Sequence, residues 1–375
     1  MLLEFGAYNF ASFKEGFQVN LREKKNGLEA YTLMGIKGAN ASGKTNVLKV
    51  LSFLATFCRS SFNLKPNQEI MLYSFFKNDR ETSIYVIFSE NNIEYKYEID
   101  LTKEKVFKES IYRKDKLIIE RIENKITENT IDEFKDLKTM ILRNNVSIIS
   151  TVNQYGSKST EFIYNFFKTI QMNVTPFGLM DKILDHDTIS MIYYEEPGLL
   201  EFLKEILLKT DTGISNIEIH EMINPETKEK NYFPSFNYDI DGETKNLSYY
   251  EQSSGTKALY SHLILYKLTL DMGGILLLDE LDINLHPDLI PILLNFFESE
   301  KLNPKKAQLI FTTHNNEIMD RLKKSRIVLV NKEDNESYVY KLDETGEILR
   351  NDRSISKVYN TGRLGGKPKI ELDYE

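Results

Sequence analysis

"GIKGANASGKTNVLKV", Gly35–Val50, decides how the rest of this 375-residue chain is read. Within it Gly38, Ala39, Asn40, Ala41, Ser42, Gly43, Lys44 and Thr45 fit GxxxxGK[ST] in full, and Asn46 follows. The glycines let backbone N–H groups turn inward on phosphates, helped by the positive end of the helix that follows. In that pattern Lys44 reaches the β- and γ-phosphates of a nucleotide and Thr45 holds Mg²⁺. The flanks agree. "YTLMGI" (Tyr31–Ile36) reads as an apolar strand, and "KTNVLKVLSFLATF" (Lys44–Phe57) repeats its apolar residues at helical spacing.

Working outward, the first 37 residues read as three short strands. "TSIYVIFSENNIEYKYEIDL" (Thr82–Leu101) alternates like a hairpin turning at Asn91 and Asn92, and Val106–Ile122 reads as another. From Thr127 to Leu208 the chain reads as mainly helical, charged and without sustained heptads. Two strands follow, near Ser215–Ile223 and Asn231–Ile240. After Ser253 helices alternate with apolar strands, the pattern of a parallel sheet covered on both faces. The division expected is 1–126 as an N-terminal lobe, 127–210 as a mainly helical insertion and 211–375 as a C-terminal lobe.

Three further stretches carry chemistry. "ILLLDE" (Ile275–Glu280) is an apolar strand that delivers Asp279 to its C-terminal end, where α/β sheets bind ligands. Asp279 is placed for Mg²⁺. Glu280, facing elsewhere by strand alternation, is placed as a general base for an attacking water. "LIFTTHNN" delivers Thr312, Thr313 and His314 to the same sheet edge, where His314 is expected to contact the γ-phosphate. "EQSSGTKAL" (Glu251–Leu259) opens a helix, with Ser253 or Ser254 as its N-cap.

The order of these motifs resembles the ABC-class ATPases, specifically the head domains of the SMC and recombination-repair type. The fold this implies is α/β: a P-loop ATPase head with a β-rich N-terminal part and a mixed or parallel core sheet flanked by helices. The resemblance implies that Ser253, Ser254 and Gly255 form a signature turn capping the γ-phosphate of ATP held by a second subunit. It also implies that Asn40 lies near the attacking water and that Asp282 in "LDINLH" belongs to a loop crossing the dimer interface. More closely, "NFASFK", "GANASGKTN", "SSGTKAL", "DELDINLHP", "TTHN" and "TGRLGGKP" resemble a bacterial family of stand-alone ABC-type ATPases. Members occur in abortive-infection and other anti-phage systems, commonly beside a separate effector with a Toprim-type nuclease domain. The chain departs from that pattern at Ala11, where a basic residue is usual, and at Asn284, where serine is common. The glutamine that senses Mg²⁺ in ABC proteins is assigned to Gln154, after the apolar "VSIIST".

Composition narrows the class. Forty-eight basic against 56 acidic residues give a net charge of −8, unlike a protein that wraps nucleic acid over its whole surface. A local basic face at Arg321–Arg326 or at Lys305 and Lys306 keeps direct nucleic-acid binding open. One cysteine, Cys58, excludes a disulfide framework, and no apolar stretch reaches the length of a membrane span. The start, "MLLEFGAYNF", is unlike a signal peptide, so a cytoplasmic protein with no membrane partner is expected. The resulting expectation is an ATPase using ATP and Mg²⁺, a homodimer or higher oligomer, switching a separate effector. A RecF-type DNA-binding repair ATPase is the alternative. The long stretch between Thr45 and Ser253 holds hairpins and helices, more than a transporter's nucleotide-binding subunit needs.

Overall fold

In the computed structural model, residues 1–24, 27–180, 185–210, 213–345 and 354–367 are described. Five strands whose apolar residues are mostly buried on both faces form the central parallel sheet, as buried parallel strands do. Their order is Ile327–Glu333, Leu33–Gly38, Gln308–Thr312, Ile275–Leu278 and Ile170–Met172, and Glu336–Lys341 joins antiparallel beside Ile327–Glu333.

Alternation along these strands divides their side chains between two cores. Met34, Ile36, Ile275, Leu277, Ile310, Val328 and Val330 face one core. Leu33, Leu276, Leu278, Leu309, Phe311, Ile327 and Leu329 face the other. The first core contains the helix Lys44–Ser60, which is buried among the central sheet, strand Leu2–Tyr8 and helices Ile148–Gln154 and Glu161–Lys168. A seven-stranded antiparallel sheet, built from the first two predicted strands, the two hairpins and the short strand Lys125–Ile126, closes that side. Its turns have left-handed residues where predicted, at Asn91 (φ 51°) and Asn92 (φ 60°). The second core is covered by helices His186–Glu195, Pro197–Lys209, Ser254–Met272 and Leu289–Glu298.

The stretch 127–210 is thus shared between the cores. Its first half is tied to the N-terminal lobe: the buried Glu109 carboxylate accepts from Ile148 N–H at 2.9 Å and from Arg121, whose guanidinium also donates to the Arg143 carbonyl. Its middle, read as helical, supplies the strand Ile170–Met172 that pairs with Ile275–Leu277. Its second half lies on the other face of the sheet. A three-stranded sheet, Asn216–Ile223, Lys230–Ile240 and Glu243–Ser248, packs against His186–Glu195.

One side chain locks the two large sheets together. Gln308 opens its strand with its amide fully buried. Its carbonyl oxygen accepts from Leu2 N–H at 2.6 Å, and its amide nitrogen donates to Leu2 O at 2.9 Å and Tyr31 O at 3.1 Å. Gln308→Leu leaves those backbone groups buried and unpaired, at about 1–3 kcal/mol for each that finds no water. Urea unfolding is expected to show a loss of at least about 2 kcal/mol; a loss below 0.5 kcal/mol would show that the sheets are held by apolar packing alone.

Candidate functional site

The glycine loop forms as its sequence requires. A Cβ on Gly38 would lie 2.3 Å from Val330 O and 2.6 Å from Ser42 Oγ. Gly43 sits at φ 108°, closed in by the hydroxyls of Ser12 and Ser337. Asn46 donates to Ser12 Oγ at 2.9 Å, and Ser337 Oγ donates to Ser42 O at 2.6 Å, so a turn near the N-terminus and the strand Glu336–Lys341 brace the loop. The Lys44 ammonium is buried in the curl and donates to Gly38 O at 3.0 Å and Ala39 O at 2.9 Å. Burial lowers its pKa, while Asp279, Glu280 and Asp282 pull it back up.

Asp279 stands at the end of Ile275–Leu278 and is 3% exposed. Thr45 Oγ1 donates to its Oδ2 at 2.7 Å, and Thr312 Oγ1 donates to its Oδ1 at 2.6 Å. The Thr312 hydroxyl accepts in turn from Glu280 N–H at 2.7 Å. Register explains the meeting: Leu278 pairs with Phe311, so the next residues, Asp279 and Thr312, stand side by side at the C-terminal ends of the strands. Glu280 lies two residues past the end of the strand with a left-handed backbone (φ 54°), so strand alternation does not set its direction. Its Oε1 lies 3.9 Å from Nε2 of His314, both side chains part-exposed. The Asp282 carboxylate accepts from His314 N–H at 3.1 and 3.2 Å within the same chain.

The Ser253 hydroxyl caps the helix Ser254–Met272, accepting from Thr256 N–H at 3.1 Å. Ser253 and Ser254 are exposed, and a Cβ on Gly255 would lie 3.1 Å from Asn284 O. The turn therefore packs beside the Asp282–Leu285 loop at the surface. Asn40 and Ala41 are likewise exposed at the rim of the glycine loop, Ala41 with a left-handed φ of 61°.

Gln154 is a correction. It is exposed at the end of helix Ile148–Gln154, whose Ser147 and Ser150 bond to Ser61 and Phe62 past the far end of helix Lys44–Ser60. That helix separates Gln154's surroundings from Lys44 by about 25 Å, at 1.5 Å per residue. The amide beside Asp279 belongs instead to Asn173. Asp279 N–H donates to Asn173 Oδ1 at 2.7 Å, and Asn173 Nδ2 donates to Asp279 O at 3.0 Å. A signal was present: Asn173 is the first polar residue after a strand, the rule that located Asp279. Sequence reading also passed over Lys37 and Lys49. Lys49, half-buried, has its pKa lowered by burial and pulled up by Asp279. Beside Ser12, Asn46 and Lys49 opens a groove of about 420 Å³ that also reaches Lys77 and Lys332, near the Ala11 position where no basic residue stands.

The site fits a nucleotide triphosphate and a hard divalent ion. Gly38 and Gly43 leave no room for side chains, and the buried Ser42 Oγ has no hydrogen-bond partner. Thr45 and Asp279 offer hard oxygen donors, few enough for an ion that keeps waters and takes phosphate oxygens. Among the described residues no cluster of three or more His, Cys, Asp or Glu forms a metal cage, and no helix is long and apolar enough to cross a membrane.

Residues 33–320 match the family described as "AAA domain, putative AbiEii toxin, Type IV TA system". The chain belongs to that family. That family is one of AAA-type P-loop domains. Among solved structures it is similar to the SMC head domain from Thermotoga maritima, at 16% identity over 91% of this chain and 98% of that one, with a TM-score of 0.46. It is also similar to an SmcHead bound to the C-winged helix domain of ScpA, at 15% identity over 92% and 98%, with a TM-score of 0.48. No curated protein matches it in sequence.

Thr312→Val keeps shape but strips Asp279 Oδ1 and Glu280 N–H of a partner. We expect phosphate release from ATP to slow about tenfold or more, the equivalent of at least 1.4 kcal/mol in the barrier. An unchanged rate would show that Thr45 alone suffices to aim the carboxylate.

Proposed function

We propose that the chain binds ATP with Mg²⁺ and hydrolyses it as one half of a twofold sandwich. In this reading it is the switch subunit of a bacterial anti-phage, abortive-infection system, controlling a separate effector of the Toprim-nuclease type. One observation carries the ATPase part: the buried Asp279 carboxylate takes hydroxyl bonds from the P-loop helix and from the neighbouring strand at once. The sandwich is supported by the exposed Ser253–Gly255 turn, which a second chain can reach. The defence role is supported by the family's description and by the whole-chain motif resemblance.

Lys44 would exchange its two loop carbonyls for phosphate oxygens, and the N–H groups of the glycine loop would line the same cradle. Thr45 and Asp279 would hold Mg²⁺, which when bound neutralises charge on the phosphates. Glu280 would accept a proton from water as the water oxygen attacks the γ-phosphorus. The bond to the β-phosphate oxygen then breaks, leaving ADP and phosphate. His314, beside Glu280, would hold that water and the γ-phosphate in place. Ser253, Ser254 and Gly255 of a second chain would close the open side. Binding energy from the γ-phosphate then favours the closed dimer, and hydrolysis releases it.

Glu280→Gln keeps the size and loses the base. With Mg-ATP it is expected to sediment as a dimer and to release phosphate at least about a hundredfold more slowly, the usual range for losing a general base. Lys44→Ala is expected to bind no ATP and to stay monomeric. A Glu280→Gln chain that binds ATP yet remains monomeric at micromolar concentration would remove the sandwich from the account.

A further inference from the structure

The motif "TGRLGGKP" has no part in the chemistry above; its residues Thr361–Lys367 are described and Pro368 lies outside the described residues. With helix Ile355–Asn360 this stretch lies as a strap over the end of the P-loop strand. Ser354 and Ser356 hydroxyls donate to the Asp320 carboxylate, and Asn316 Nδ2 donates to Asn360 Oδ1 at 2.8 Å. Tyr359 donates to Gly366 O at 2.6 Å, Gly366 N–H donates to the Asn331 side chain, and Tyr340 donates to Leu364 O. Glycine is required here. Gly365 and Gly366 have φ of 74° and 69°, and a Cβ on Gly365 would lie 2.4 Å from Asn331 Nδ2. A Cβ on Gly366 would lie 3.6 Å from Gly38 Cα, so the strap touches the first residue of the phosphate loop.

Lys37 is where the strap meets the switch. It is 4% exposed, and its ammonium donates to the His314 carbonyl and lies 5.6 Å from the Tyr359 ring centroid. The Asp282 carboxylate holds the other side of His314, at its N–H. The His314 backbone is therefore gripped by a cation on its C=O and an anion on its N–H. Burial pushes the Lys37 pKa down to about 8, with Asp282 opposing and Lys44 reinforcing. An ammonium has three donors, and among the described residues Lys37 meets one carbonyl and one aromatic face. Such a buried cation is unfavourable for folding, and an apolar side chain of the same length would fit more cheaply.

We propose that Lys37 is a positioning residue: seated on the Tyr359 ring of the C-terminal strap, its ammonium fixes the His314 carbonyl, so that docking of the strap sets the aim of the His314 imidazole and with it the rate of ATP hydrolysis. Release of the strap removes Tyr359 from under the ammonium, and the grip on His314 loosens. The strap thus gives any partner that binds it control of turnover without touching the phosphates. This inference rests on the nucleotide reading above.

The test compares Lys37→Met, Tyr359→Leu and Tyr359→Phe with wild type, using a fluorescent ATP analogue for affinity, phosphate release for turnover and thermal melting for stability. Lys37→Met and Tyr359→Leu are each expected to lower kcat about tenfold, the rate equivalent of one misplaced contact, with KM and affinity within about threefold. Tyr359→Phe keeps the ring and gives up only the bond to Gly366 O, while the Tyr340 and Asn331 bonds still hold the strap, so it is expected to keep the rate within about threefold. Lys37→Met is expected to melt no lower than wild type, and the double variant to be no slower than the slower single, because both act through one contact. If Lys37→Met does not fold, the contrast between Tyr359→Leu and Tyr359→Phe decides the matter. A kcat within twofold of wild type for the folded variants, or losses that multiply in the double variant, would overturn the proposal. A wild type that neither binds nor hydrolyses ATP would instead overturn the nucleotide reading beneath it.

Discussion

The carboxylate of Asp279, buried and bonded by Thr45 on one oxygen and Thr312 on the other, is the constraint on which the site depends. An isolated carboxylate in such a place is costly, so its donors must arrive together. They do because the parallel register is fixed on both flanks. Leu278 is level with Phe311, and Leu277 with Met172, so Thr312 falls level with Asp279 and Asn173 one residue before it. Asn173 binds the Asp279 peptide through both ends of its amide, which leaves the aspartate little freedom to swing. A one-residue slip in any of these three strands would turn a donor to the wrong face.

The two cores make that register hard to lose. Alternate side chains of each central strand are buried on opposite faces, so slipping a strand would exchange the contents of both cores. Gln308 adds a polar lock between the sheets at the opposite end of its strand from Thr312. Rigidity is thus concentrated beneath the phosphate loop. The parts that would have to move or meet a partner, namely Ser253, Ser254, Asn40, Glu280 and His314, sit at the surface above it.

Much of this was legible in the chain. The glycine loop, "ILLLDE" and "LIFTTH" announce themselves because local residue type dictates what they do: glycines where a Cβ would collide, and polar groups following apolar strands. The hairpins were readable because one face is buried, which imprints alternation. Where that imprint is missing, reading failed. Glu243–Ser248 is a strand exposed along its whole length, so nothing alternates. Ile170–Met172 is three residues long, too short to show a period, so Asn173, whose amide lies beside Asp279, was passed over for Gln154. The left-handed turn at Glu280 and the buried cation of Lys37 are set by tertiary packing, with no local signature.

On the proposed reading each chain carries half of two sites, with Lys44 and the Ser253–Gly255 turn serving different nucleotides. Complementation in mixtures tests this most directly. A Lys44→Ala chain and a Gly255→Arg chain, each inactive alone, would together form one complete site in every mixed dimer. The account predicts that mixing them restores ATP hydrolysis in proportion to the mixed species formed. If each is folded, each is inactive and the mixture stays inactive while mixed dimers are present, the two elements do not act across a dimer and the account is contradicted.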